Sequence, residues 1–144
     1  MTESIFNKHS CDAMVIHCID FRFGNGVHDF IKNDMGLNCF DIVSLAGGAK
    51  NLASPAEDFL LETVLENTEI SQRLHHIKKI ILVNHMDCGA YGGSAKFENL
   101  EAETEFHKSE LEKAAKVILE KFPNMEIVKI FAYYEEDKGK FLIF

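Results

Sequence analysis

Two short stretches hold side chains that can do chemistry. "HCIDFRF", residues 17–23, sets Cys18, Asp20 and Arg22 at alternate positions where an apolar run ends. Read as a strand end, alternation by two puts a thiol, a carboxylate and a guanidinium on one face. "HMDC", residues 85–88, sets His85 and Cys88 three positions apart, between another apolar run and a glycine-rich turn. That spacing lets an imidazole and a thiolate converge on one ion, and Cys18 at the end of a different strand is the natural third donor. Three protein ligands with a fourth position free form the pattern of a catalytic Zn2+ site, whereas a structural site normally has four. An isolated H-x-x-C is common by chance, and buried cysteines pack as small hydrophobes. Its combination with C-x-D-x-R is what turns the reading toward a metal. Cys11 and Cys39 have no partner at ligand spacing and read as structural. His17 points to the opposite face from Cys18 and reads as a core or supporting residue.

The elements that must position these residues follow from periodicity and stop signals. Apolar runs at 13–19, 39–46, 77–85, 126–134 and 141–144 read as strands. Residues 25–36 carry one apolar helical face at 27, 30, 31 and 35, with Gly36 as the stop. "SPAE", 54–57, opens the next helix with Ser54 as N-cap, Pro55 at the first position and Glu57 completing a capping box, its apolar face at 56, 59, 60, 64 and 65. A long amphipathic helix over 98–122 is closed by Pro123. Strands alternating with helices predict one α/β domain over 1–144, with a mostly parallel central sheet flanked by helices and a short antiparallel strand at the carboxyl end. Ligands in such sheets bind beyond the carboxyl ends of the strands, where strand order reverses. Both motifs fall at strand carboxyl ends.

Composition narrows the classes. The 144 residues are 47% apolar and 26% charged, with a net charge of −8. No basic cluster is interleaved with aromatics, so nucleic acid is not an expected partner. No apolar run approaches the ~20 residues that span a bilayer, so no membrane partner is expected either. "MTESIFNKHSCDA" lacks a basic segment followed by an apolar one, so the expected location is the cytoplasm. There the four cysteines stay reduced rather than forming a disulfide frame.

"CIDFR", then "LAGGA" at 45–49, then "HMDCGA" resembles the β-class carbonic anhydrases, whose motifs C-x-D-x-R and H-x-x-C come in this order at comparable separation. The closing "YYEEDKGKFLIF" is similar to the family's final hairpin. The resemblance implies zinc on Cys18, His85 and Cys88, a dyad of Asp20 and Arg22, and reversible hydration of carbon dioxide to bicarbonate by a zinc-bound hydroxide. Within it, pairing with Arg22 keeps Asp20 off the metal; the pair also reads as a plain ion pair. Phe21, Phe23 and Phe40 read either as a dry pocket or as core. Backbone N–H groups near Gly89 and Ala90, at an expected helix start, are placed to receive an anion. His28 and His107 are proton carriers by residue type alone. A homodimer or larger homo-oligomer is implied as well.

This chain departs from the family in several places. The arginine and asparagine of its alanine-glycine turn are replaced, the turn reading Ser44-Leu45-Ala46-Gly47-Gly48, and Asn84 stands where a glycine usually precedes the ligand histidine. Phe21 is bulky where a small residue is usual. The stretch before the first strand is shorter than the family's helical arm. No residue is matched to the glutamine that orients substrate in part of the family. Three other functions remain open at this level. They are hydrolysis of carbonyl sulfide or carbon disulfide on the same fold, a non-catalytic zinc protein with Asp20 on the metal, and a dithiol redox protein using Cys18 and Cys88.

Overall fold

A computed structural model describes residues 5–144. The expectation about the amino-terminal stretch rests partly on residues 1–4, which lie outside the described residues. Five strands form one sheet in the order β2-β1-β3-β4-β5. They are β1 (Ala13–His17), β2 (Phe40–Ser44), β3 (Lys79–His85), β4 (Glu126–Glu135) and β5 (Lys138–Ile143). β2, β1, β3 and β4 pair in parallel, and β4 with β5 antiparallel, as the sequence predicts. Every residue of β1 is buried, as are Ile80 to His85 of β3, which suits central strands covered on both faces.

Alternation along the strands divides the core. Met14, Ile16, Ile80 and Leu82 face α2 (Lys50–Ala53), α3 (Asp58–His75) and α4 (Leu100–Lys121), meeting Leu52, Val64, Leu111 and Ile118. Ala13, Val15, Ile81 and Val83 face the other way, against Phe23, Val27 and Ile31 of α1 (Phe21–Asp29) and the π-helical turn (Phe30–Asp34) that prolongs it. The chain runs from β1 out to β2 and then crosses back to β3 on the other side of β1, so strand order reverses there and a crevice opens beyond the carboxyl ends of β1 and β3.

Three expectations are corrected. β1 stops at His17, so Cys18, Asp20 and Arg22 are not successive residues of one strand face. The Asp20 carboxylate instead accepts the Arg22 N–H and caps α1, satisfying an amide that a helix start leaves free. The helix therefore begins at Phe21, ahead of the periodic stretch. Ser54 ends α2 rather than capping the next helix, and α3 starts only at Asp58 with no side-chain cap. Its buried positions are Val64, Thr68 and Ser71, while Ala56 lies outside the helix and Phe59 is exposed. In the closing hairpin the strands grow to the expense of the turn, which shrinks to Glu136 and Asp137, both at positive φ (49° and 58°), the geometry of a tight two-residue hairpin loop.

Candidate metal centre

Cys18 leaves β1, His85 ends β3 and Cys88 follows one turn later, so the crevice between two adjacent strands gathers all three. One donor atom from each lies within 4.8 Å of the others. The donors are prepared for a cation. His85 Nδ1 lies 2.7 Å from the Met86 carbonyl oxygen, an acceptor, so Nδ1 carries the proton and Nε2 presents its lone pair. That Nε2 is buried with no hydrogen-bond partner among the described residues. Phe23 stacks on the His85 ring at 4.4 Å between centroids and holds its plane.

The two thiols act on each other in opposite directions. The hydrogen bond from Cys88 holds Cys18 well below the usual thiol range against the opposing effect of burial, with help from His85 and the Gly47 N–H, which donates to Cys18 Sγ at 3.3 Å. Cys88 is pushed up by the same hydrogen bond and then by burial, while the Ala90 and Tyr91 amides favour its thiolate. Two sulfurs close together, an orphaned imidazole nitrogen and amide donors on both sulfurs fit a thiophilic divalent ion such as Zn2+.

Arg22 and Asp20 meet as the motif implies. Nε donates to Oδ1 at 3.0 Å and Nη2 to Oδ2 at 2.6 Å, a fork on the carboxylate. This pairing holds Asp20 down at about 2, against the upward effect of burial. Asp20 Oδ2 stands 4.0 Å from His85 Nε2, beside the ligand cluster with its oxygens occupied by Arg22. Cys18, Asp20, Phe21, Arg22, Gly89 and Ala90 all border an open cleft of about 440 Å3, together with Ile19, Ala46 and Gly47. Phe21 is 90% exposed at its rim. Phe23 is buried against His85, and Phe40 packs in the core on the α1 side, so neither lines this cleft. The expected helix start at Gly89 is a three-residue 3-10 turn, and its Ala90 amide serves the Cys88 sulfur.

Several supporting residues escaped the sequence reading. Asp87, inside "HMDC", accepts from Arg22 Nη1 at 2.9 Å through Oδ2 and from the Ser94 amide at 2.9 Å through Oδ1. Its φ of 55° turns the chain between His85 and Cys88. Buried Glu103 of α4 accepts from the Asp87 amide at 2.7 Å and the Ser94 hydroxyl at 2.8 Å, tying this loop to the helix. Asn84 donates to His107 Nδ1 at 3.2 Å, and Tyr91 donates to Glu110 at 2.9 Å. An acid between two ligand residues was the one available signal for Asp87; Glu103 and Glu110 look like solvated helix charges. His107 is fully buried, and His28 bonds His17 at 2.9 Å on the α1 side, so neither faces the cleft.

Residues 8–140 match the family described as "Putative carbonic anhydrase". The chain belongs to this family. Two rickettsial relatives are similar over 129 residues, 87% of this chain. An uncharacterized protein of Rickettsia bellii is 36% identical with 78% of its length covered, and one of Rickettsia conorii 33% identical with 69% covered. Among solved structures, a β-carbonic anhydrase of Trichomonas vaginalis superposes with a TM-score of 0.54 at 13% identity, over 99% of this chain and 88% of that one. The similarity at that identity is one of fold, and it is the β-carbonic-anhydrase fold that the motifs predict.

Proposed function

We propose that this chain hydrates carbon dioxide reversibly to bicarbonate, with zinc held by Cys18, His85 and Cys88. The observation that carries the reading is the convergence of two sulfurs and a partnerless buried imidazole nitrogen beside an open cleft. Bound there, zinc would supply a Lewis acid that lowers the pKa of a water at its open fourth position. The chain's own residues do the rest. Asp20, ionised at neutral pH, accepts a hydrogen bond from the attacking water and directs its lone pair toward the carbon. Arg22 keeps that carboxylate from becoming a fourth ligand, and Asp87 keeps Arg22 in place. Phe21, Gly89 and Ala90 form a cleft wall of few polar groups, suited to a small nonpolar gas. The Arg22 fork on Asp20 favours this open arrangement over a closed, non-catalytic zinc protein.

Stopped-flow carbon dioxide hydration from pH 7 to about 9, on protein of known zinc content, tests the reading. A rate that rises with pH at about one zinc per chain is expected. Zinc-loaded protein without hydration across that range overturns it, and carbonyl sulfide and carbon disulfide are then the substrates to assay.

The cleft rim is apolar and uncovered, with Phe21 90% and Ile19 64% exposed. We propose that a second copy covers it in a homodimer or larger homo-oligomer. Sedimentation should show an assembly that Phe21→Glu dissociates; a wild-type monomer at micromolar concentration would refute it.

A further inference from the structure

We propose a second metal site, formed by Cys11, Asp41 and His75, that takes a borderline divalent ion of the Zn2+ or Co2+ kind. It does not depend on the proposed activity. The three residues come from separate segments: Cys11 precedes β1, Asp41 lies in the edge strand β2, and His75 is the last residue of α3. A sulfur, a carboxylate oxygen and an imidazole nitrogen, one from each, lie within 4.8 Å of one another. Among the described residues only this group and the Cys18 group bring such donors together.

The backbone around the cluster is well tied. The Cys11 amide donates to the His75 carbonyl at 3.0 Å, fastening the segment before β1 to the end of α3. Asp12 N–H donates to the Cys39 carbonyl at 2.9 Å, and the Cys39 amide returns to Asp12 Oδ2 at 3.2 Å, so Cys11 and Asp41 are held in fixed relation. Asp41 Oδ2 accepts from the buried Ser71 hydroxyl at 2.5 Å and pairs with His75 Nδ1 at 2.7 Å. Ser71 thus orients the carboxylate from behind, as outer-shell donors do at metal sites.

The Asp41–His75 pair alone would be an ordinary surface ion pair. Cys11 is what that account leaves over. Its thiol donates a long bond, 3.5 Å, to the Ala13 carbonyl, although it sits against a carboxylate. Burial and the Asp41 carboxylate both push the Cys11 thiol up. A divalent ion would relieve that repulsion by taking thiolate and carboxylate together, and the thiol proton would pass to solvent. One sulfur, one imidazole and one carboxylate favour borderline metals over Mg2+ or Ca2+. The His75 and Asp41 side chains are 46% and 32% exposed, so an ion has access.

Cobalt titration tests the site, because thiolate ligation to Co2+ gives a near-ultraviolet charge-transfer band independent of any activity. Full-length wild type should take up about two Co2+ per chain at micromolar concentration. Cys11→Ser and His75→Ala should each remove one of them, while the Cys18→Ser/Cys88→Ser double variant keeps one with its charge-transfer band. Saturation at one ion that disappears in the double variant and survives both Cys11→Ser and His75→Ala would overturn the proposal. Two ions per chain that survive those substitutions would overturn it equally. A single wild-type ion lost in His75→Ala would support this site and count against the Cys18 centre. If the double variant does not fold, the two single substitutions in the wild-type background still decide the question.

Discussion

Arg22 carries two carboxylates at once, Asp20 through Nε and Nη2 and Asp87 through Nη1, and its Nη2 also reaches the Asp87 carbonyl at 3.2 Å. The two acids push its pKa further up, so it stays charged, and their forks leave it little rotational freedom. Lysine could not replace it, since a single ammonium cannot span both acids in one plane. Replacing Arg22 with alanine leaves Asp20 only the backbone N–H of position 22 as a donor, so its second oxygen is free to turn toward a cation held beside His85. Arg22→Ala should therefore retain zinc while hydration falls by about 100-fold or more. Metal analysis and stopped-flow rates on the same sample check this. A variant with wild-type rate would remove Arg22 from the proposed site.

At the scale of elements, the turn after β2 does for Cys18 what no side chain does. Gly47 supplies the amide to its sulfur, and Gly48 lets the turn lie against the central strands. A Cβ at Gly48 would stand 2.7 Å from the Val83 carbonyl oxygen and 3.0 Å from the Cys18 amide, at a φ of 54°. The obstructing atoms are backbone of the two strands that deliver Cys18 and His85, so they cannot step aside. Any side chain here, the asparagine of the family's turn included, would meet that backbone. Gly48→Ala should destabilise the fold by roughly 2–4 kcal/mol, combining left-handed strain with overpacking. Denaturant midpoints measure it, and an unchanged midpoint would contradict this packing account.

For the whole molecule, His107 links the centre to the core. It is fully buried, stacked on Phe131 at 5.1 Å and hydrogen-bonded by Asn84, and its Nε2 finds no partner among the described residues. Burial, then the neighbouring His85, holds it down at about 4 from 6.5. The folded state therefore keeps the ring neutral, while the unfolded chain takes up a proton as pH falls through 6.5. The stabilisation is full above that value, declines toward pH 4 and does not change further below it. Metal-free protein should lose about 3 kcal/mol across that window from this group. A His107→Phe variant, which can keep the stack on Phe131, should lack that part of the slope in denaturation measured at successive pH values. Equal slopes in both proteins would show that His107 charges readily in the fold. Among the described residues, no helix is long and apolar enough to cross a membrane.

The sequence by itself determined what local chemistry and periodicity can carry. The grouping of Cys18, His85 and Cys88 was legible because candidate ligand types stand out at strand ends, and the parallel sheet because β1 and β3 are apolar on both faces. Asp20 and Arg22 were legible as a pair, but for a reason the structure replaces: they meet across a helix start, not along a strand. Strand alternation and an aspartate cap compete over the same few residues, and only the backbone bonds that form decide between them. Tertiary structure alone decided the rest. Asp87, Glu103 and Glu110 are acids in polar stretches, where sequence cannot tell a solvated charge from a buried one with a partner. Cys11, Asp41 and His75 lie in three separate segments, and no spacing rule joins residues that only the folding of α3 against the sheet edge brings together.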